Sequence, residues 1–240
     1  LGVGYQASAL HKIAYLVVDE AAPSTSEPPS WWKLPPIPGA QYATEPARVR
    51  SPTAVDVIAW RDQLAIKYRG QLGEVLTWDE ASDFVESEDA ATSADVLLRY
   101  VAARIDERGT QGIRSLIDAE GPPSVEIGRA LEGAESRGFT SRFPQLLLRS
   151  AFWLPFHRNM IIEEPDWQGR TERFGSNFRL EEELRDLRML IAEADPRSGE
   201  WTSDRSVPTK VLWAAWQASE MMGRICAAAT SRHLPFWTTG

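Results

Sequence analysis

Residues 154–167, LPFHRNMIIEEPDW, place His157 shortly before Glu163, Glu164 and Asp166. An imidazole near carboxylates can act as a general acid or base, or as a metal ligand. With Arg158, Glu163 and Glu164, His157 forms the dispersed catalytic group that the sequence offers. A metal is not expected there. The other histidines, His11 and His233, lie at opposite ends of the chain, and no H-E-x-x-H spacing occurs. Glu163 and Glu164 are adjacent, so on a strand they point to opposite faces and do not form a pair.

The second feature is a run of acids. Between Arg69 and Arg99 there is no Lys or Arg, but there are Glu74, Asp79, Glu80, Asp83, Glu86, Glu88, Asp89 and Asp95. The net charge of the whole chain is −8, so this window carries all of it and the remainder is balanced. A local surplus of this kind fits an acidic face that steers and holds a basic protein partner. It also fits a solvated pair of helices that keeps the chain soluble. The calcium-loop order D-x-[DN]-x-[DN]-G is absent, and the Thr77-to-Glu80 spacing predicts a short helix through about Glu86 rather than a loop.

Other chemistry has little support. Cys226 is the only cysteine and falls on the apolar stripe of a predicted helix, where a buried thiol is inert. Gly175-Ser176-Asn177 precedes a helix and could present backbone donors to an anion, but it lacks a phosphate-loop or dinucleotide context. Ten tryptophans are a heavy load. Trp60, Trp213 and Trp216 fit core positions, whereas Trp31, Trp32, Trp167, Trp201 and Trp237 fall in expected loops or at the end of the chain. Trp31 and Trp32 join the acids as candidate partner-binding residues, since exposed indoles anchor interfaces.

The elements that must position these residues read as mostly helical. Ile13 to Val18 reads as a strand, and residues 1–20 as a strand joining the main domain. Residues 21–50 form a proline-rich arm, because its prolines remove backbone donors and fix φ. Residues 51–240 form the helical domain. Helical stripes run through Val57, Trp60 and Leu64, through Leu97, Leu98 and Val101, through Leu180, Leu184 and Leu187, and through Val211, Ala215 and Met222. The last of these is apolar on more than one side and is expected to be the central helix. Asn159 to Ile162 and Arg173-Phe174 read as two short strands around a turn.

The expected fold is therefore mainly α: one helical domain, a minor β element of two or three short strands, and the proline-rich arm. With 240 residues, 43% apolar and 25% charged, the chain can bury one core. No apolar run reaches the roughly 18 residues of a membrane span. No leader pattern is visible, so a cytoplasmic protein without membrane or nucleic-acid partners is expected. No cofactor is implied. The favoured function is a non-catalytic module whose acidic face holds a basic protein, an antitoxin or immunity-type inhibitor being one form. The alternative is a small cofactor-free enzyme with its site around His157.

Overall fold

A computed structural model describes residues 2–12, 53–117, 119, 121–148, 150–167, 169–195 and 210–239. The expected strand at Ile13 to Val18, the proline-rich arm with Trp31 and Trp32, and Trp201 lie outside them. The chain forms β1 (Gly2–Ser8), α1 (Ala54–Leu72), β2 (Val85–Ala91), α2 (Thr92–Arg108), α3 (Thr110–Arg114), α4 (Ser124–Arg137) and α5 (Pro144–Leu147). Then come β3 (Phe152–Leu154), β4 (Ile162–Pro165), β5 (Thr171–Ser176), α6 (Asn177–Ala194), α7 (Val211–Ser231) and β6 (Phe236–Thr239).

The strands join into one six-stranded mixed sheet in the order β2-β1-β6-β3-β5-β4. This corrects the expectation of a mainly α fold with a minor β element. The physical reason lies in burial. Strands covered on both faces read as continuous apolar runs instead of alternating ones. Phe152-Trp153-Leu154 and Phe236-Trp237 are such runs, and they are too short to show a period. In β3, Trp153 faces a core built from α2, α6 and α7, whereas Phe152 and Leu154 face a second core under α1. In β6, Phe236 and Trp237 divide between the same two cores.

The segment from Thr77 to Glu86 is also corrected, from a short helix to a loop followed by a strand. Glu80 does not reach back to close a capping box at Thr77. Its buried carboxylate instead accepts the His11 backbone N–H at 2.6 Å, meets the His11 ring Nδ1 at 3.0 Å and accepts from Trp78 Nε1 at 2.5 Å. β2 has poor intrinsic strand propensity, VESEDAA, but pairs with all seven residues of β1. Tertiary pairing overrides local preference here.

The long helices follow their stripes. Thr53 caps α1 through a reciprocal box with Asp56. α1 continues past Gly70 to Gly73, whose φ of 73° closes it in the left-handed region. α7 buries residues on several sides, among them Trp213, Ala215, Met222 and Cys226, and is the central helix. The Cys226 Sγ–H donates to Asn177 O at 3.3 Å, and burial pushes this thiol well above its ordinary pKa.

β3 and β5 approach closely at Gly175. A Cβ on Gly175 would lie 2.5 Å from Trp153 Cδ1 and 2.6 Å from the Gln145 side-chain oxygen. Both neighbours are fully buried and cannot move aside. Gly175→Ala is therefore expected to destabilise the fold by about 1–3 kcal/mol. Urea unfolding measures this, and a loss below about 0.5 kcal/mol would contradict the packing described.

Candidate functional site

β3 and β5 form the sheet's parallel pair, and their last residues, Leu154 and Ser176, are register partners. β6 runs antiparallel to β3, with Phe236 opposite Trp153. The chain leaving β3, the N-terminus of α6 and the turn entering β6 therefore meet at one end of the sheet. The carboxyl ends of parallel strands are where α/β sheets assemble ligand sites.

His157 follows β3 at that end. Its partner is Glu74, from the loop after α1. One Glu74 oxygen accepts the His157 backbone N–H at 2.5 Å, and the other meets ring Nδ1 at 3.0 Å. A carboxylate can only accept, so in the neutral ring Nδ1 carries the proton and Nε2 is left as a bare base. The ring stacks on Phe178 with centroids 4.0 Å apart and planes 15° apart. Arg179 Nε donates to His157 O at 2.6 Å and so fixes the backbone. The imidazole itself is accessible, with 63% of the side chain exposed.

His233 enters from the end of α7, its ring 6.0 Å from that of Phe178. The turn there is a Schellman stop: Leu234 N–H donates to Ala229 O at 2.9 Å and His233 N–H to Thr230 O at 3.1 Å. The C′ position of such a stop is left-handed and usually glycine, but His233 occupies it with φ 54°. Asn177, the first residue of α6, holds the turn by donating from Nδ2 to Leu234 O at 2.8 Å. Ser176 caps α6 by accepting from Arg179 N–H at 3.2 Å, and its hydroxyl also donates to Phe156 O. The anion role considered for this turn thus gives way to a buried cap.

The two histidines and Glu74 share one electrostatic neighbourhood. Burial alone would raise the Glu74 pKa. The backbone and ring hydrogen bonds from His157, with the charges of both histidines, pull it below the usual carboxylate value. Burial lowers the His233 pKa and the charge of His157 adds to this, while the Glu74 charge and a hydrogen bond to the Thr77 backbone oppose it. Among the described residues no group of His, Cys, Asp and Glu could hold a metal ion.

The other expected site residues are scattered. Glu163 meets Arg173 at 3.4 Å across the β4–β5 pair. Glu164, on the opposite face, accepts from Tyr68 OH at 2.6 Å and pairs with Lys67. Arg158 is exposed. Asp166 is buried and holds Arg170 across the hairpin turn at 2.8 Å. The carboxylate that serves His157 is Glu74, 83 positions away in sequence.

The eight acids likewise divide. Glu80 and Asp95 are buried, and Asp95 accepts from Tyr5 OH at 2.9 Å and Arg99 Nε at 3.1 Å. Glu88 pairs with Arg224 at 2.7 Å and Asp83 with Lys12 at 3.8 Å. Asp79, Asp83, Glu86 and Asp89 are exposed, the last two on β2, an edge strand. Charges on an edge strand discourage sheet-to-sheet association.

Phe178, Arg179 and His233 are site residues that the sequence alone did not single out. No local spacing connects them. Recognising FWL and FWTT as neighbouring strands is the one signal that joins His157 to His233.

Two measurements check this geometry. In an NMR titration, His233 is expected below its ordinary pKa. Glu74→Gln removes an opposite charge and moves it lower, whereas His157→Asn removes a like charge and moves it higher; shifts of the same sign would contradict the cluster. Glu74 and His233 both take up protons more readily in the unfolded chain, so the stability they contribute is lost as pH falls through their windows. Separately, His233→Gly relieves the left-handed φ and is expected to stabilise the fold by about 0.5–1 kcal/mol. A thermal melt showing destabilisation would mean that the side chain is needed for packing.

No helix among the described residues is long and apolar enough to cross a membrane. No protein-family model matches this chain, and comparison with curated proteins and with solved structures finds no match.

Proposed function

We propose that the chain is a small cofactor-free enzyme of the general acid–base type. His157 is its proton acceptor and Glu74 the residue that orients it. The observation that carries this reading is the double grip of Glu74 on the His157 backbone and ring Nδ1, on a side chain that is 63% exposed. A carboxylate that fixes the tautomer and stabilises the imidazolium is the arrangement that makes a histidine an effective base. His233 beside the same aromatic ring supplies a second imidazole, held toward its neutral form by burial. Phe178 stacks on the His157 ring and so holds its plane.

A left-handed histidine where glycine would be less strained also favours function at this end of the sheet. The competing reading, an acidic face for a basic protein partner, has less behind it. Of its eight acids, two are buried and others are engaged within the chain. Only the exposed group around β2 supports it.

Diethyl pyrocarbonate, which acylates unprotonated imidazole nitrogen, tests the proposal without a known substrate. His157 is expected to react faster than free imidazole and to slow in Glu74→Gln. Hydrolysis of p-nitrophenyl acetate should exceed the rate of free imidazole and fall by about 10²-fold or more in His157→Gln, the lower end of the usual contribution of a positioned base. His157 reacting at the same rate in wild type and Glu74→Gln, or ester hydrolysis unchanged in His157→Gln, would contradict it.

A further inference from the structure

A cleft of about 710 Å³ lies between α2 and α4, sharing no residue with the His157 site. Its volume falls within the range of small-molecule sites, about 300–1,000 Å³. Four arginines line it: Arg104 and Arg108 from α2, Arg129 and Arg137 from α4. Two glutamates, Glu107 and Glu126, stand among them. In a chain of net charge −8, this cleft has a local excess of positive charge.

The arginines are only partly neutralised. Glu107 is shared, at 3.1 Å from Arg104 and 3.6 Å from Arg108. Glu126 accepts from Tyr100 OH at 2.7 Å. Arg137 pairs with Asp106 at 2.6 Å through Nε. Arg129 makes no ion pair among the described residues. Two guanidinium nitrogens, Arg104 Nε and Arg137 Nη2, are buried without a hydrogen-bond partner. Buried donors of this kind are rare, and a charged one left unmatched is unfavourable. Both nitrogens belong to arginines that line the cleft, so its wall carries guanidinium hydrogen-bonding capacity that the described residues leave unused. The guanidinium fork matches a phosphate in a way that lysine would not.

Two further features agree. α4 begins at Ser124 after an N-cap residue, Pro123, that gives no side-chain hydrogen bond, and Pro123 lines the same cleft, so the positive end of a 14-residue helix borders it. The rest of the wall includes Val125, which is 64% exposed although apolar, and Ala130.

We infer that this cleft binds a phosphorylated small molecule of about mononucleotide size, with its phosphate among Arg104, Arg108, Arg129 and Arg137 and its body on Val125 and Ala130. The inference is independent of the acid–base proposal.

The test is isothermal titration of the full chain with inorganic pyrophosphate and with adenosine monophosphate. Adenosine, which lacks the phosphate, is the control. Arg108 and Arg129 reach solvent, so Arg108→Ala/Arg129→Ala should keep the fold, checked by its thermal melt. Wild type is expected to bind at least one phosphate probe more tightly than adenosine. The double variant is expected to lose about tenfold or more of that affinity, equivalent to about 1.4 kcal/mol. Binding of neither phosphate probe by wild type, equal binding of adenosine, or undiminished binding by the double variant would overturn the inference.

Discussion

The parallel pairing of β3 with β5 is the constraint on which the candidate site depends. Three register pairs, Phe152–Phe174, Trp153–Gly175 and Leu154–Ser176, bring the ends of both strands to one place. A buried glutamine secures them. Gln145 accepts the Ser176 N–H at 2.7 Å through its side-chain oxygen and donates to Asn159 Oδ1 at 3.0 Å through its side-chain nitrogen, while Trp153 Nε1 donates to its backbone carbonyl at 3.1 Å. Glu183 from α6 accepts the N–H groups of Gln145 and Leu146 at 3.0 and 2.9 Å, closing the short helix that presents the glutamine. Burial pushes the Glu183 pKa up to about 8, against the pull of these two bonds. If β5 slipped by one residue on β3, Phe174 would change cores and α6 would begin at another depth.

The second layer serves the same end from the other face. Trp60 on α1 packs against Phe174 at 5.0 Å and Trp167 at 5.3 Å, and its Nε1 donates to Pro165 O at 2.8 Å. α1 is thereby fixed over β5, and the loop that follows it delivers Glu74 to His157. The acids of this stretch have mixed duties. Glu80 and Asp95 satisfy buried donors, Glu74 orients a histidine, and Glu86 and Asp89 keep an edge strand polar.

Much of the helical part was legible in the sequence. Leu180, Leu184, Leu187 and Ile191 form the buried stripe they spell out, and α7 occupies the centre that its apolar breadth implies. The sheet was not legible, because β3 has three residues, β6 has four, and β1 carries two glycines. The β4–β5 turn was visible in the polar stretch around Pro165 to Gly169, but the first strand was not: β4 is Ile162–Pro165 and shares only Ile162 with the expected strand Asn159 to Ile162. His157 stood out by residue type. Its partnerships did not: Glu74 was singled out only as one of the acidic run, and it, Phe178 and His233 are brought to His157 by the fold, which leaves no mark in local spacing.

The central claim is that Glu74 fixes His157 with a proton on Nδ1 and a bare Nε2. Long-range ¹H–¹⁵N correlation spectra of histidine-labelled protein, recorded above the pH at which the rings titrate, read the tautomer of each imidazole directly. The account predicts the Nδ1–H tautomer for His157 in the wild type and its loss in Glu74→Ala. An Nε2–H tautomer in the wild type, or a spectrum unchanged by Glu74→Ala, would contradict it.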